Sequence, residues 1–397
     1  MLIAKLDPDF IQAAQREIAA AGLDGWLLYD LEARNRVTAE LTGLTDGISR
    51  RYFVLLRPGV PPRALVHRIE LMHFEGWPGE LISYVSWQEM EQSLRDILEG
   101  CGTIAMETSE MDAVPFIDNI PAGVLQMIQG LGVRVVSSAD LLSRTYSQWG
   151  DRGRSLHLLA AEVLAETAEA AFRRAAETVS MGERIGEYEV ATWILDELDR
   201  RNLHAEGVIV GTGPNSANPH YYPSETVTSD LTSGSVLLID LWGRVRDEPE
   251  AVFADQTWMG LLGDDPPEGF MEAWQAVRAA RDGAVAFIAD RYDGELGPTG
   301  AQVDAEARRI LIESGFEDVL FHRTGHAMDR VNHGYGPNLD SVETRDDRRL
   351  VRGIGFSVEP GVYFEGQWGI RSEINVHMGA DGPEVSPQRI QMEPWTG

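Results

Sequence analysis

Two rhythms of apolar and polar residues run along this chain, and they come in a readable order. FIQAAQREIAAAG carries apolar residues at helical spacing and stops at Gly22. GWLLYD has the length and continuity of a buried strand. RRYFVLLRPG and PRALVH read as strands around a Pro-Gly turn. The amphipathic helix WQEMEQSLRDILEG, the strand GTIAME, the helical IPAGVLQMIQGLG and the strand VRVVSS complete an α/β alternation over the first 150 residues. The polar stretch TYSQWGDRGRS, residues 145–155, is the expected boundary, so domains are expected at 1–150 and 151–397.

The second half has longer elements. The alanine-rich LHLLAAEVLAETAEAAFRRAAETV and YEVATWILDELDRRN are predicted helices, as are EAWQAVRAARDGAVAFIADRY and AQVDAEARRILIESG, the last stopped by Gly315. Between them lie the strand-then-loop GVIVGTGPNSANPHYYPSE, the apolar run SVLLIDLWG leading to Asp240, and AVFADQTWMG, whose apolar part leads to Asp255. The GTG of the first has no third glycine, no following helix and no Lys-Ser/Thr pair, so it is no phosphate loop. From Ile370 to Met378 the period is two. Ile370, Ser372, Ile374, Val376 and Met378 fall on one face and Arg371, Glu373, Asn375 and His377 on the other, which predicts a single strand with one face in the core. The tail, 379–397, reads as surface loop and strand.

Against this pattern four carboxylates stand out. Glu359 and Glu373 sit inside apolar strand sequence, and Asp240 and Asp255 each follow an apolar run in a predicted hairpin. A buried carboxylate is costly unless it is paired or holds a metal. Each taken singly reads equally well as a salt-bridged glutamate or as a turn-forming aspartate. The chain has nine histidines, and three of them, His322, His326 and His333, fall in the Gly- and Asn-rich segment VLFHRTGHAMDRVNHGYGPNLD. His220 lies in the earlier loop. His322 reads as a satisfied structural histidine, and His67 and His73 as surface or capping residues. No HExxH or CxxC is present, which excludes those zinc-site patterns. Four carboxylates and an imidazole can coordinate two divalent cations. Such oxygen-rich ligation suits Mn²⁺ or another first-row ion. Two metals about 3.5–4 Å apart can share a water and hold it as hydroxide, and histidines outside the ligand set can stabilise an oxyanion.

Composition narrows the partners. Thirty-four Lys and Arg against 63 Asp and Glu give a net charge of −29, which argues against nucleic acid and anionic membrane surfaces. A single cysteine, Cys101, precludes an intrachain disulfide. With no cleavage signal in MLIAKLDPDF and no apolar run long enough to span a membrane, a cytoplasmic protein is expected.

The segments NPHYYPS, VLLIDLWG, FADQTWMG, HRTGHAMDRVNHGYGP, FSVEPGVYF and GIRSEINV follow one another in the motif order of the pita-bread metallopeptidases, the group of methionine aminopeptidase, aminopeptidase P, prolidase and creatinase. The chain resembles that family along essentially its whole length. The resemblance implies an α/β creatinase-type amino-terminal domain followed by an α+β pita-bread catalytic domain. It implies that Asp240 chelates one metal, that Asp255 and Glu373 bridge two, and that His326 and Glu359 complete the second, with Glu359 also shuttling a proton. His220 and His333 would contact the scissile carbonyl, and Arg371 would orient the acidic ligands. The implied cofactors are two divalent ions per subunit, Mn²⁺ first, with Co²⁺ or Zn²⁺ as alternatives. The implied activity is an Xaa-Pro dipeptidase acting on small peptides with proline second, in a homodimer whose partner subunit restricts the cleft. Aminopeptidase P on longer peptides is the alternative, followed by a metal-free creatinase-like hydrolase and a peptide-binding relative. Arg50 and Arg51 are candidates for the substrate carboxylate, or plain surface arginines. Two departures from the family pattern are visible. Asp240 and Asp255 stand 15 residues apart where about eleven is usual in the resembled family, which implies a longer hairpin tip at RVRDEPE. Gln256, Thr257 and Trp258 follow Asp255 and Ala327 and Met328 follow His326, where the family often has Thr-Arg and glycines.

Overall fold

The structure is a computed structural model and describes residues 6–263 and 265–397. It divides into two compact units, Met1–Tyr146 and Ser147–Gly397.

The first unit is built on a mixed sheet of β1 (Gly25–Asp30), β2 (Tyr52–Leu56), β3 (Arg63–His67), β4 (Glu80–Tyr84), β5 (Thr103–Met106) and β6 (Arg134–Ser137), in the order β4-β3-β2-β1-β5-β6. β1–β2 and β2–β3 are antiparallel and the outer pairs parallel. Helix α1 (Pro8–Ala20) is capped by the Asp7 side chain and buries Ile11, Ala14 and Ile18, the three- and four-residue spacing of one face. The short α2 (Arg36–Thr42) follows β1. Helix α3 (Trp87–Ile97) starts on a Ser86–Glu89 capping box; α4 (Ala122–Gly130) and α5 (Ala139–Arg144) follow. Leu27, Phe53, Leu65, Leu94, Ile104 and Ile128 form the core. A second buried cluster is polar. Glu107, fully buried, accepts from Trp26 Nε1 at 2.6 Å, Asn35 Nδ2 at 2.9 Å and Ser138 Oγ at 3.2 Å, and burial raises its pKa. This network joins β1, α2 and the β5 and β6 ends, and accounts for the carboxyl structurally.

In the second unit α6 (Asp151–Ser180) and α7 (Glu187–Arg200) pack on a sheet of β7 (Leu203–Thr212), β8 (Val236–Val245) and β9 (Ala254–Leu261). Then come α8 (Phe270–Arg291), β10 (Leu296–Thr299), α9 (Gly300–Glu313), β11 (Ala327–Met328), β12 (Arg349–Val351) and β13 (Gly355–Val358). The chain ends with β14 (Gly361–Phe364), β15 (Trp368–Arg371), β16 (Ile374–Met378), β17 (Pro383–Ser386) and β18 (Trp395–Thr396). Sheets form in the orders β18-β9-β8-β7 and β11-β13-β16-β17, with two-stranded β14-β15 and β10-β12 beside them.

Alternation along β8 and β9 explains their continuous apolar sequence: both faces are buried. Leu237, Ile239 and Leu241 enter the core under the alanine face of α6, while Leu238 joins a second core with Met259, Trp274, Phe356 and Val376. The fit against α6 is close. A Cβ on Gly260 would lie 2.4 Å from the Phe172 ring, so no other residue fits there without a shift.

Two expectations are corrected. Ile370–Met378 is not one strand: β15 pairs with β14 and β16 with β13, and Ser372–Glu373 is the crossing between sheets. The crossing is pinned by Arg281 of α8, whose Nη1 donates to Ser372 Oγ at 2.8 Å. Both faces are largely buried, so alternation marks direction here and not exposure. The tail is also no mere surface segment. β17 extends the sheet beside β16, Gln391 hydrogen-bonds both the N–H and the carbonyl of Met259, and Trp395 stacks on Phe172 at 5.7 Å.

Candidate metal centre

The register of one hairpin places the first acidic pair. Asp240 on β8 lies opposite Thr257 on β9, and Trp242 lies opposite Asp255. Asp240, Asp255 and Thr257 therefore share the face turned toward β15 and β16, with the aspartates in diagonal cross-strand positions. Gln256 and Trp258 point the other way: Trp258 Nε1 donates to Gln256 Oε1, and Gln256 Nε2 donates to the Ala161 carbonyl of α6. The departures at 256 and 258 thus lie on the helix side of the strand.

The sheet crossing delivers the next groups. Arg371, at the end of β15, is 4% exposed and donates through Nη2 to Asp240 Oδ2 and through Nε to Thr257 Oγ1 at 2.8 Å; Glu359 Oε2 lies 3.9 Å from the same Nε. Thr257 Oγ1 in turn donates to Glu373 Oε2 at 2.8 Å. Asn375 holds the backbone of Asp255, accepting from its N–H at 3.1 Å and donating to its carbonyl.

His326 precedes β11. Its Nδ1–H donates to the Ala327 carbonyl at 3.1 Å, which turns Nε2 toward Asp255 Oδ2 at 3.6 Å and Glu359 Oε1 at 3.5 Å. Glu359, just past β13, accepts from Ser357 Oγ at 2.9 Å. Atoms of Asp255, His326 and Glu373 all lie within 4.8 Å of one another, as a cation site requires. Asp240 is tied to this group by Arg371, and Glu359 by His326.

One rule runs through three of the carboxylates: a protein donor holds one oxygen, and the other is left. Asp240 Oδ1, Asp255 Oδ1 and Glu373 Oε1 are buried with no hydrogen-bond partner. An unpaired buried carboxylate oxygen is expensive to leave so. Three of them beside an imidazole nitrogen make a donor set that fits a first-row divalent cation. The electrostatics agree. Burial, together with the mutual repulsion of the acids, raises the Asp240 and Glu373 carboxyls well above the ordinary range, against the pull of Arg371. Burial also pushes on Glu359, but His326, Arg371 and His322 outweigh it and hold this carboxyl below its ordinary value.

Not every sequence candidate joins this group by a contact. The His333 ring stands edge-on to His326, centroids 4.2 Å apart, and the His326 imidazole followed by burial brings its pKa down to about 4. His220 is exposed in the loop after β7, its backbone N–H on Asn218 Oδ1, and no hydrogen bond or ion pair among the described residues ties its ring to the acids. Its neighbour Tyr221 anchors that loop, donating to the buried Glu187 at 2.6 Å; Glu187 also accepts from the Thr212 and Ser229 N–H groups, each at 2.7 Å. Arg50 and Arg51 belong to the first unit, where Arg50 is exposed and donates to its neighbour Ser49.

Several residues at the centre went unmarked in the sequence. Thr257 lies two residues past Asp255 on the same strand face, a position the period-two pattern exposes. His322, read as structural, is in contact with the centre: its Nδ1–H donates to the Arg323 carbonyl, Nε2 accepts from Tyr363 OH at 2.7 Å, and that hydroxyl accepts from Arg371 Nη1 at 3.4 Å. Burial lowers the His322 pKa and raises that of Tyr363 to about 12. Ser357 and Asn332 complete the ring of donors. They lie in segments whose pairing cannot be read from pattern alone.

Comparisons with known proteins bear on the family and the fold. The family model "Metallopeptidase family M24" matches residues 160–380. "Probable dipeptidase PepE" of Mycobacterium tuberculosis is 27% identical over 381 residues, 92% of this chain and 90% of that protein. "Xaa-Pro dipeptidase" of Lactobacillus delbrueckii subsp. lactis is 28% identical over 165 residues, 42% of this chain and 40% of that one. Among solved structures, dipeptidase PepE from Mycobacterium ulcerans superposes with a TM-score of 0.73 at 24% identity, covering 98% of this chain and 97% of that chain. The prolidase from Pyrococcus horikoshii OT3 does so at 0.63 and 19%, covering 97% and 100%. At such identities these structures establish the fold: an α/β amino-terminal domain followed by a pita-bread catalytic domain. No helix among the described residues is long and apolar enough to cross a membrane. The family match spans more than half of the chain and encloses all four acids and His326, and the chain therefore belongs to metallopeptidase family M24.

Proposed function

We propose that this protein hydrolyses the Xaa-Pro bond of dipeptides at a dinuclear metal centre formed by Asp240, Asp255, His326, Glu359 and Glu373. The observation that carries the reading is the set of three unpaired carboxylate oxygens buried beside His326. Two divalent cations bound there, Mn²⁺ foremost, would supply a water activated as hydroxide near neutral pH and a Lewis acid for the scissile carbonyl. The rest is work for the chain's own groups. Glu359, kept ionised by His326, Arg371 and His322, takes the proton of the attacking water and returns it to the leaving proline nitrogen as the C–N bond breaks. His333, its pKa brought down to about 4 by the His326 imidazole and burial, would hydrogen-bond the reacting carbonyl, with His220 approaching from the loop that Glu187 anchors. Arg371 and Thr257 keep the Asp240 and Glu373 carboxylates in plane. An X–Pro amide lacks an N–H and has a fixed φ, so a site that depends on metal and carbonyl contacts rather than on that N–H accepts it. The named dipeptidase relatives support this reading, which also includes a cytoplasmic homodimer.

The test is a panel of Ala-Pro, Ala-Pro-Ala and a non-proline dipeptide with Mn²⁺, Co²⁺ and Zn²⁺. Turnover of Ala-Pro is expected to dominate. Cleavage of the tripeptide alone would reassign the protein as an Xaa-Pro aminopeptidase. Turnover unaffected by chelator would point to a metal-free hydrolase. Absence of both hydrolysis and metal binding would leave a peptide-binding relative.

A further inference from the structure

Asn332 sits at the apex of a tightly wound loop after β11. The loop is closed by Asp329, whose Oδ1 accepts from the Val331 N–H at 3.0 Å and whose Oδ2 accepts from the Tyr335 N–H at 3.3 Å. The Gly334 N–H donates to the Ala327 carbonyl at 2.7 Å, and a Cβ at Gly334 would lie 2.5 Å from Asp329 Oδ2, so the winding admits no side chain there. The loop aims Asn332 Nδ2 at Asp255 Oδ2, 2.8 Å away. The acceptor settles the amide orientation, because a carboxylate can take a hydrogen bond only from the NH₂ side. The cost falls on the other end of the amide: Asn332 Oδ1 is buried without a partner. A half-satisfied buried amide destabilises the fold relative to an apolar side chain of similar size. Its presence makes sense if the bond to Asp255 has a use.

We propose that Asn332 is a positioning residue of the metal centre, fixing the plane of the Asp255 carboxylate so that Oδ1 and the second lone pair of Oδ2 face the cation site. The inference rests on the reading of Asp255 as a ligand. Without Asn332 the carboxylate is held by no other described side-chain donor and can rotate about its last torsion. Asp240 has Arg371 for this task, Glu373 has Thr257 and Glu359 has Ser357, so Asn332 completes one donor per acid.

The test compares the full chain with Asn332→Leu and Asn332→Ala, each stripped of metal and titrated with Mn²⁺ in a calorimeter, alongside thermal unfolding of the metal-free forms. Loss of a hydrogen bond to a ligand is expected to weaken Mn²⁺ binding by about 10–100-fold. Asn332→Leu removes the unpaired Oδ1 but also strands Asp255 Oδ2, two opposed effects, so its metal-free form should melt close to wild type. Wild-type affinity in both variants would overturn the inference while leaving the metal centre standing. A fall of metal-free melting temperature with wild-type affinity would likewise overturn it, since Asn332 would then be holding its loop and not Asp255. If the wild-type chain itself binds no Mn²⁺, the metal centre falls, and the inference with it.

Discussion

Lowering the pH should loosen the second unit through one side chain, His157 of α6. Its Nδ1–H donates to the Phe253 carbonyl at 2.7 Å, and its Nε2 accepts from Ser386 Oγ at 2.7 Å, so the helix is tied to the entry of β9 and to β17 through a neutral imidazole. Trp149 packs on the ring at 4.4 Å. Burial drives the pKa from 6.5 down to about 4. The folded state thus refuses a proton that the unfolded chain accepts. The stability this confers is complete above pH 6.5, is lost as the pH falls from 6.5 toward 4, and falls no further below that. Fully expressed, the difference is worth about 3 kcal/mol, and about 2 kcal/mol is already lost near pH 5. Urea unfolding of metal-free protein at a series of pH values, compared with His157→Gln, isolates the effect. Glutamine keeps hydrogen-bonding capacity without titrating, and the acids of the metal centre cancel in the comparison. The wild type should lose about 2 kcal/mol more than the variant between about pH 7.5 and 5. Parallel curves for the two proteins would refute the assignment of His157 as the titrating group.

Three further outcomes follow from the centre and its surroundings. Asp255→Asn should lower turnover by more than about 100-fold, beyond the loss typical of a ligand's supporting residue, with little change in metal-free stability; surviving turnover would sink the two-metal reading. Mn²⁺ at about 100 times its Kd should stabilise the second unit by about 2.7 kcal/mol. Because Asp240 and Glu373 hold raised pKa values, binding should also release protons, so the heat of binding must change with the ionisation enthalpy of the buffer; invariant heat contradicts it. Glu187→Ala strands the Thr212 and Ser229 N–H groups and leaves the Tyr221 hydroxyl only the Val227 carbonyl, 3.2 Å away. It should cost about 3 kcal/mol in urea unfolding and raise KM through the loop that carries His220, and a variant with unchanged KM would detach that loop from substrate binding.

Much of this was legible from residue order. The α/β first half, the long alanine-faced helix and the apolar runs around Asp240 and Asp255 are patterns of burial, and burial is what periodicity reports. The four acids stood out because charge beside such runs is costly and His326 because histidines cluster around it, while their roles as ligands came from the family resemblance. What the pattern could not carry was direction across space. Ile370–Met378 alternates like one strand, yet a buried guanidinium from another helix, Arg281, turns it from one sheet into the next. His322 looked like a structural histidine, and only the packing of β14 brings Tyr363 and Arg371 to it. Asn332 has no periodic signature at all, because its loop is shaped by Asp329 and Gly334. Contacts between segments distant in sequence are set by the sum of packing choices, which no local window contains.

The pairing of β8 with β9 fixes where Asp240 and Asp255 stand, and it does so from the sheet inward. The turn residues Asp247, Pro249 and Glu250 are exposed and have no say in it, whereas Ala251, Val252 and Phe253 are buried, Phe253 hydrogen-bonded to His157 and Asp329. The separation of the two aspartates along the chain is therefore a free variable, while their separation in space is not. The hairpin tip can lengthen, shorten or accept a foreign peptide without moving an acid. It is a natural place to graft an affinity tag or a fluorescent reporter.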